Sequence, residues 1–168
     1  MFQPFSDTLT TEEKYHQALL MIEGTLMGES NEIARLANIS AVLATVLTDI
    51  NWVGFYLADT NQKTLTLGPF QGLPACTRIA FNRGVCGAAA QTRTTQRIRD
   101  VHAFPGHIAC DSQSASELVV PILINDLVYG VLDIDSPTRD RFQKAEQDFI
   151  EAVCAKMSHY FEKEKNGA

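Results

Sequence analysis

The chain changes its hydrophobic period twice, and this pattern limits the folds that it can adopt. Apolar residues recur at helical intervals near the start, follow strand-like patterns in the middle, and return to helical intervals near the end. Helices at both ends of a run of strands predict an α+β fold with a mostly antiparallel central sheet flanked by N- and C-terminal helices. The length of 168 residues fits one domain. We expect that domain to span 1–168, with 1–30 as an N-terminal helical segment.

Two helices are predicted before the strands and one after them. Thr10 and Glu13 have the spacing of a capping box, which marks the start of a helix. The apolar stripe behind this box consists of Tyr15, Ala18, Leu19, Ile22 and Leu26. A second stripe, which predicts either a core face or a dimer seam, consists of Ile33, Leu36, Ile39, Leu43, Val46 and Ile50. The last helix carries Phe142, Phe149, Ile150, Val153, Cys154, Met157, Tyr160 and Phe161, and has Gln143 where a Ser, Thr or Asp cap is usual.

The middle of the chain is predicted to be strands and loops. Asn125-Asp126 between two apolar runs indicates a hairpin turn. Gly84 to Gly87 indicates a turn that leads into a short helix, and 102–116 indicates a long loop of the kind that tends to carry function. The predicted strands are 51–57, 64–67, 97–100, 117–124 and 127–135.

Charge and hydropathy exclude several classes of partner. The net charge is −6, and the 14 basic residues are scattered without a run that could neutralise a row of phosphates. We therefore expect no nucleic acid partner and no anionic membrane surface. The absence of a long apolar stretch, and of a basic then apolar start, predicts a cytoplasmic protein. In that compartment the four cysteines are expected as free thiols, metal ligands or catalytic groups.

The cysteines are the main lead to chemistry. Cys110 lies in a loop with His102 and His107, and an imidazole that is cationic or that donates a hydrogen bond would lower the thiol pKa. Cys86 stands at the entry of the predicted short helix, where the helix dipole favours a thiolate. Together with Cys76, these residues predict either a redox site or buried thiols. Cys154, on an apolar helix face, is expected to be an ordinary core residue.

A zinc site is an alternative for the same part of the chain. Cys76, Cys86, His107 and Cys110 are suitable ligands in type, but only His107 and Cys110 have close ligand spacing, and no C-x-x-C motif is present. The spacing therefore disfavours zinc.

Acidic and aromatic residues predict a small-molecule pocket beside the thiols. Asp133 and Asp135 alternate along one strand, so their side chains share a face and can share a proton or a cation. Glu117 opens the preceding strand of the hairpin and could complete an acidic cluster. Trp52 and Tyr56 share a face of the first strand. The alternatives are an exposed acidic pair and ordinary aromatic core packing, whereas an aromatic wall above an acidic floor would suit a small cationic or zwitterionic ligand.

The sequence resembles the free methionine-R-sulfoxide reductases, a family of stand-alone GAF domains. The resemblance runs over nearly the whole chain, from the strand at 51–56 to the strand at 132–136. Its most specific pieces are Gly84-Val85-Cys86-Gly87 and the segment 100–111, and the segment 116–121 also fits.

The resemblance implies an oxidoreductase of oxidative stress repair that reduces free methionine-R-sulfoxide. It implies that Cys110 is the nucleophile and that the resolving thiol comes from Cys76 or Cys86. It also implies that the substrate pocket is lined by Trp52, Tyr56, Glu117, Asp133 and Asp135. Cys110 would become a sulfenic acid, then a disulfide that thioredoxin or another dithiol reopens, with no bound cofactor or metal. A homodimer is a further expectation.

Two other functions use the same features. A GAF module that senses a small ligand such as a cyclic nucleotide needs the same pocket, although the acidic pair would repel a phosphate. A thiol-based redox sensor needs the cysteines and no substrate.

Overall fold

A six-stranded sheet forms the centre of the computed structural model, which describes residues 5–108 and 112–167. Its strand order is β3-β2-β1-β6-β5-β4, and every pairing between these strands is antiparallel. The strands are β1 (Trp52–Asp59), β2 (Thr64–Gly72), β3 (Arg78–Ala80), β4 (Gln96–Ile98), β5 (Ser116–Ile124) and β6 (Leu127–Ser136). The helices are α1 (Thr11–Gly28), α2 (Glu32–Val46), α3 (Gly84–Thr92) and α4 (Lys144–Lys165), with a 3-10 turn at Val101–Ala103. The predicted α+β class is confirmed.

Three helices cover one face of the sheet. The capping box of α1 is present, because the Glu13 amide donates to Thr10 Oγ1 at 3.2 Å and the Thr10 amide donates to Glu13 Oε2 at 2.8 Å. The Tyr15 ring of α1 stacks on Phe149 of α4 with centroids 4.2 Å apart. The larger core lies between α1, α2 and α4 and the sheet residues Val53, Phe55, Leu118, Val120, Ile122, Leu132 and Ile134.

Some residues at the ends of the predicted apolar stripes are exposed or lie outside the helices. Ile33 is 70% exposed because it lies in the first turn of α2, before the helix meets the sheet. Ile50 lies beyond the end of α2 at Val46, and Phe142 is buried but precedes α4. The Gln143 amide donates to Glu146 Oε2 at 2.9 Å, so α4 begins at Lys144 without the usual Ser or Thr cap.

The fourth helix, α3, packs on the opposite face of the sheet and carries the Gly84-Val85-Cys86-Gly87 motif. Gly84 has φ +61°, which favours glycine at the turn from β3 into α3. At Gly87 a side chain would not fit, because a Cβ there would lie 2.3 Å from the Ala80 carbonyl oxygen. These two glycines let α3 lie close against the end of β3.

The β5–β6 hairpin fixes the register of the acidic residues. Asn125 and Asp126 both have positive φ (49° and 62°), the signature of a type I′ turn, as the sequence predicted. The resulting register pairs Glu117 with Asp135.

The largest differences between the predicted and observed strands are at β2, β3 and β4. The short strand Arg78–Ala80 has no distinctive pattern in the sequence and was not predicted. Strand β2 continues to Gly72 rather than ending at Leu67, and the predicted strand at 97–100 is a three-residue edge strand followed by the 3-10 turn. Within the described ranges, no helix is both long and apolar enough to cross a membrane.

Candidate active site

The acidic residues lie on the sheet face opposite the large core. Trp52 of β1 is paired with Asp135 of β6, which is paired in turn with Glu117 of β5, so the three side chains form a row across three neighbouring strands. Asp133 lies two residues from Asp135 and shares its face, whereas Leu132 and Ile134 face the helical layer. The sheet therefore brings the predicted acidic cluster and the predicted aromatic strand together.

A cavity lies over this row, between the sheet, α3 and the loop after the 3-10 turn. Every residue that the sequence suggested for substrate binding lines it, and so does Cys86. The cavity lining also includes Arg83, His107, Ile108 and Ser114, which the sequence had not suggested as substrate-binding residues.

The aromatic side of the cavity is held rigidly. The Trp52 and Tyr56 rings stack with centroids 5.8 Å apart, and Phe70 stacks on Trp52 at 5.2 Å. The polar ends are anchored as well, because Trp52 Nε1 donates to the Leu73 carbonyl at 3.1 Å and Tyr56 Oη donates to the Cys76 carbonyl at 3.0 Å. With those groups satisfied, the ring surfaces that line the cavity offer contacts to an apolar or cationic ligand.

Burial gives the carboxyl groups different protonation states. Burial, followed by repulsion from Asp133 and Asp135, raises the pKa of Glu117 well above its ordinary value. Burial raises the pKa of Asp133 to about 6. Asp133 Oδ1 is buried and has no hydrogen-bond partner among the described residues. These shifts favour a protonated Glu117 beside an ionised Asp133, one of whose oxygens has no partner in the described part of the chain.

Cys86 is a thiol in this environment, and the expectation of a thiolate at the start of α3 is wrong. Its Sγ lies 3.9 Å from Glu117 Oε1, within reach of a weak S–H···O hydrogen bond. Burial, followed by the neighbouring carboxyl groups of Asp133 and Glu117, raises the pKa of Cys86 well above its ordinary value. Desolvation and two neighbouring acids outweigh the favourable field of a nine-residue helix.

The two histidines of the loop have separate roles. His102 is exposed and its Nδ1 lies 2.9 Å from Asp100 Oδ1, away from the cavity. His107 lines the cavity, and its Nε2 lies 3.8 Å from Glu117 Oε2. Burial lowers the pKa of His107, so its imidazole is neutral at neutral pH. Of the two predicted ways to assist a thiolate, His107 thus offers only a hydrogen bond and no positive charge.

The remaining cysteines differ in their oxidation state and in their surroundings. Cys154 is a buried free thiol in the large core, as its helical spacing predicted. Cys76 is half-buried and disulfide-bonded, whereas Cys86 is free. Cys110, the predicted nucleophile, lies outside the described residues.

The zinc ligands that the sequence offered as a disfavoured alternative are not brought together among the described residues, which do not include Cys110. The disulfide removes Cys76 as a thiolate ligand. In the described part of the chain, the close group of possible ligand atoms is Cys86, Glu117 and Asp133, all within 4.8 Å of one another. This group differs from the set of cysteines and His107 considered from spacing.

The sequence analysis did not identify Arg83, because neither the composition of the segment nor its hydrophobic period distinguishes this arginine from the others. It is the N-cap residue of α3 and directly precedes the Gly84-Val85-Cys86-Gly87 motif. Adjacency to that motif was the one signal available. Ser114, whose hydroxyl accepts from Asn51 Nδ2 at 3.2 Å, was hidden inside the predicted loop.

Comparison with known proteins identifies related chains. Residues 31–159 match the family model described as "GAF domain". The free methionine-R-sulfoxide reductase of Escherichia coli is 49% identical over 132 residues, which are 79% of each chain. The free methionine-R-sulfoxide reductase of Saccharomyces cerevisiae is 44% identical, covering 89% of this chain and 87% of its own.

Solved structures of free methionine-R-sulfoxide reductases also have a backbone fold similar to that of this chain. The free methionine-R-sulfoxide reductase of Neisseria meningitidis, solved in complex with its substrate, superposes with a TM-score of 0.91 at 38% identity over all of both chains. The reduced form of the Staphylococcus aureus protein fRMsr superposes with a TM-score of 0.81 at 45% identity, covering 94% of this chain and 99% of its own.

Proposed function

Because this chain belongs to the GAF-domain family of free methionine-R-sulfoxide reductases, which are oxidoreductases, we propose that it reduces free L-methionine-(R)-sulfoxide to L-methionine. The observation that carries the proposal is the cavity in which the protonated Glu117 lies beside ionised Asp133 and below a fixed aromatic wall. A zwitterion with an apolar sulfoxide side chain fits these groups.

Each part of the substrate has a partner in the cavity. The methyl and methylene groups pack against the faces of Trp52 and Tyr56. The ammonium binds Asp133, whose Oδ1 otherwise has no partner in the described structure, and Asp135. The sulfoxide oxygen accepts a hydrogen bond from protonated Glu117, because a neutral sulfoxide needs a proton donor to become electrophilic.

We propose that the Cys110 thiolate attacks the polarised sulfur. A sulfur–sulfur bond forms between Cys110 and the substrate as the sulfur–oxygen bond breaks, and the oxygen leaves as water after taking protons from Glu117 and from solvent. Water then attacks the Cys110 sulfur and loses a proton, the sulfur–sulfur bond breaks with its electron pair going to methionine, and Cys110 is left as a sulfenic acid. His107 assists as a neutral hydrogen-bonding group, since burial lowers its pKa.

Cys76 is the better candidate for the resolving thiol. It attacks the sulfenic acid, forms a disulfide with Cys110 and releases water. Two observations support Cys76 over Cys86: Cys76 is disulfide-bonded while Cys86 is free, and the raised pKa of Cys86 keeps it protonated and weakly nucleophilic. Cys86 then stays a thiol that contacts Glu117 and takes no part in the disulfide.

Recycling completes the cycle without a bound cofactor or metal. An external dithiol such as thioredoxin reduces the disulfide by thiol exchange. Thioredoxin as the reductant, the cytoplasmic location and the homodimer stay predictions.

The proposed activity is tested by methionine formation. With methionine-R-sulfoxide and dithiothreitol, we expect the wild-type protein and Cys154→Ser to form methionine at similar rates, and Cys110→Ser to form none above background. Serine is not ionised at neutral pH, so it cannot replace the thiolate. Substantial turnover by Cys110→Ser would remove Cys110 from its role, and no turnover by the wild-type protein would refute the activity.

The same assay separates the alternative functions. A ligand-sensing module or a redox sensor would form no methionine from either sulfoxide epimer. The acidic floor also disfavours an anionic ligand such as a nucleotide phosphate.

A further inference from the structure

Arg83 lines the cavity but has no role in the chemistry proposed above. We infer that Arg83 binds the α-carboxylate of the substrate and thereby selects the free amino acid, an inference that rests on the proposed function. Arg83 lines the same cavity as the acidic cluster, at the entrance formed by the start of α3.

Charge balance in the cavity requires such a group. Among the described lining residues there are three carboxylic acids, whereas Arg83 is the only arginine or lysine. His107 does not substitute for it, because its lowered pKa leaves the imidazole neutral. The substrate carboxylate is attached to the same carbon as the ammonium, so binding the ammonium at Asp133 and Asp135 brings the carboxylate close to those anions. An unopposed carboxylate there would be repelled.

Arg83 is free to take this role. None of the ion pairs between described residues involves it, and its side chain is exposed at the mouth of the cavity. Its backbone is already fixed, because the Arg83 amide donates to the Ala80 carbonyl at 3.0 Å and its own carbonyl accepts from Gly87 at 3.1 Å. A guanidinium with a fixed backbone can bind a carboxylate through two parallel hydrogen bonds.

The start of α3 adds to the same field. Arg83 is the N-cap residue but makes no side-chain capping bond, and the next three residues, Gly84, Val85 and Cys86, all line the cavity. The positive end of the helix dipole therefore faces the same space as the guanidinium. Asp133 Oδ1 is buried and has no hydrogen-bond partner within 5–108 and 112–167, which independently points to a ligand that donates a hydrogen bond there, as an ammonium does.

The two ends of the subsite explain a preference for free methionine sulfoxide. A residue within a polypeptide has amide groups in place of both the ammonium and the carboxylate. It would leave the Asp133 charge and the Arg83 charge without their ligands in a partly desolvated site, which costs binding energy.

The test compares two substrates that differ only at the carboxyl group. Free methionine-R-sulfoxide carries the carboxylate, and methioninamide R-sulfoxide keeps the ammonium and the sulfoxide but has a neutral amide. We expect Arg83→Gln to raise KM for the free acid by about 10- to 100-fold with kcat changed less than about threefold, and to leave KM for the amide nearly unchanged. Arg83→Lys should recover part of the loss.

Arg78→Gln is the matched control, because Arg78 is an exposed arginine on β3 that bonds Thr66 and does not line the cavity. It removes the same net charge and should leave both KM values unchanged. Equal effects of Arg83→Gln on acid and amide, or no effect on the acid, would overturn the inference.

Calorimetry separates this inference from the proposed function. Binding of the free acid and the amide is measured on Cys110→Ser protein with and without Arg83→Gln, where no turnover is needed. Tighter binding of the acid that disappears in Arg83→Gln supports the subsite even if the wild-type protein forms no methionine, a result that would refute the proposed function alone. No preference for the acid would overturn the subsite even if turnover is normal.

Discussion

Glu117 and Asp133 show how neighbouring residues of one type acquire different chemistry. Both are buried in the same cavity, but Glu117 also faces the charges of Asp133 and Asp135 and therefore holds its proton more tightly. Separated pKa values in a pair of carboxyl groups assign one as acid and the other as anion. The close spacing of the acids could be predicted from the sequence, but which of them keeps the proton could not, because that depends on burial across three strands.

Glu117→Gln tests the assignment of the acid. The amide keeps the shape but cannot deliver a proton, so we expect kcat to fall by about 10²- to 10³-fold. Because the pKa of Glu117 is raised, wild-type activity should decline at alkaline pH as Glu117 ionises, and this decline should be missing from the residual activity of Glu117→Gln. A pH–kcat profile checks both points. An unchanged alkaline limb in the variant would assign the proton to another group.

Asp133→Asn tests the ammonium site and should separate activity from stability. Loss of the charge should raise KM by about tenfold or more. Stability should change in the opposite direction: the folded pKa of about 6 lies above the ordinary value of 3.8, so this group favours folding at low pH and that contribution is lost as pH rises from about 4 to about 6.

The stability of Asp133→Asn relative to wild type should therefore increase over that pH window. The gain should be on the order of 2–3 kcal/mol above pH 6, offset in part by burying an amide. Denaturant unfolding at pH 4 and pH 7 measures it. A variant that is much less stable than wild type at pH 7 would make Asp133 a structural residue.

Among the secondary-structure elements, α3 closes the cavity over the sheet and places Arg83 and Cys86 in its lining. Its sequence predicted a turn and a short helix, and the structure has both. Helical spacing, capping boxes and the Asn125-Asp126 turn are local signals, so they predicted α1, α2, α4 and the hairpin well. Strand β3 and the end of β2 depend on pairing with distant residues, and no local pattern marks them.

Gly87→Ala tests the close approach of α3. Its Cβ would lie 2.3 Å from the Ala80 carbonyl oxygen, so α3 must shift away from β3 and carry Cys86 and Arg83 with it. We expect a loss of about 1–3 kcal/mol of unfolding free energy, together with reduced catalytic efficiency. The matched control is Gly24→Ala in α1, where no atom lies within 4 Å of the new Cβ. That change should stabilise the protein by about 0.5–1 kcal/mol and leave activity unchanged. Equal stability of the two variants would contradict the packing described for α3.

At the scale of the whole molecule, the sheet separates stability from chemistry. One face carries the large core with α1, α2 and α4, and the other carries the aromatic wall, the acids and α3. The sequence predicted that Asp133 and Asp135 share a face of one strand and that Trp52 and Tyr56 share a face of the first strand. The antiparallel register was needed to place Trp52, Asp135 and Glu117 in one row. Arg83 joins them through the packing of α3, and its place next to the Gly84-Val85-Cys86-Gly87 motif was the one sequence signal for it.

Substrate reduction should oxidise a specific pair of cysteines, and a single turnover without reductant shows which pair. Fully reduced protein is mixed with methionine-R-sulfoxide, methionine is quantified, and the cysteines are mapped by alkylation and peptide mass spectrometry. We predict about one methionine per chain and a disulfide between Cys110 and Cys76, with Cys86 and Cys154 still alkylated as thiols. Methionine formation with all four cysteines reduced, or a major disulfide that contains Cys154, would contradict the account.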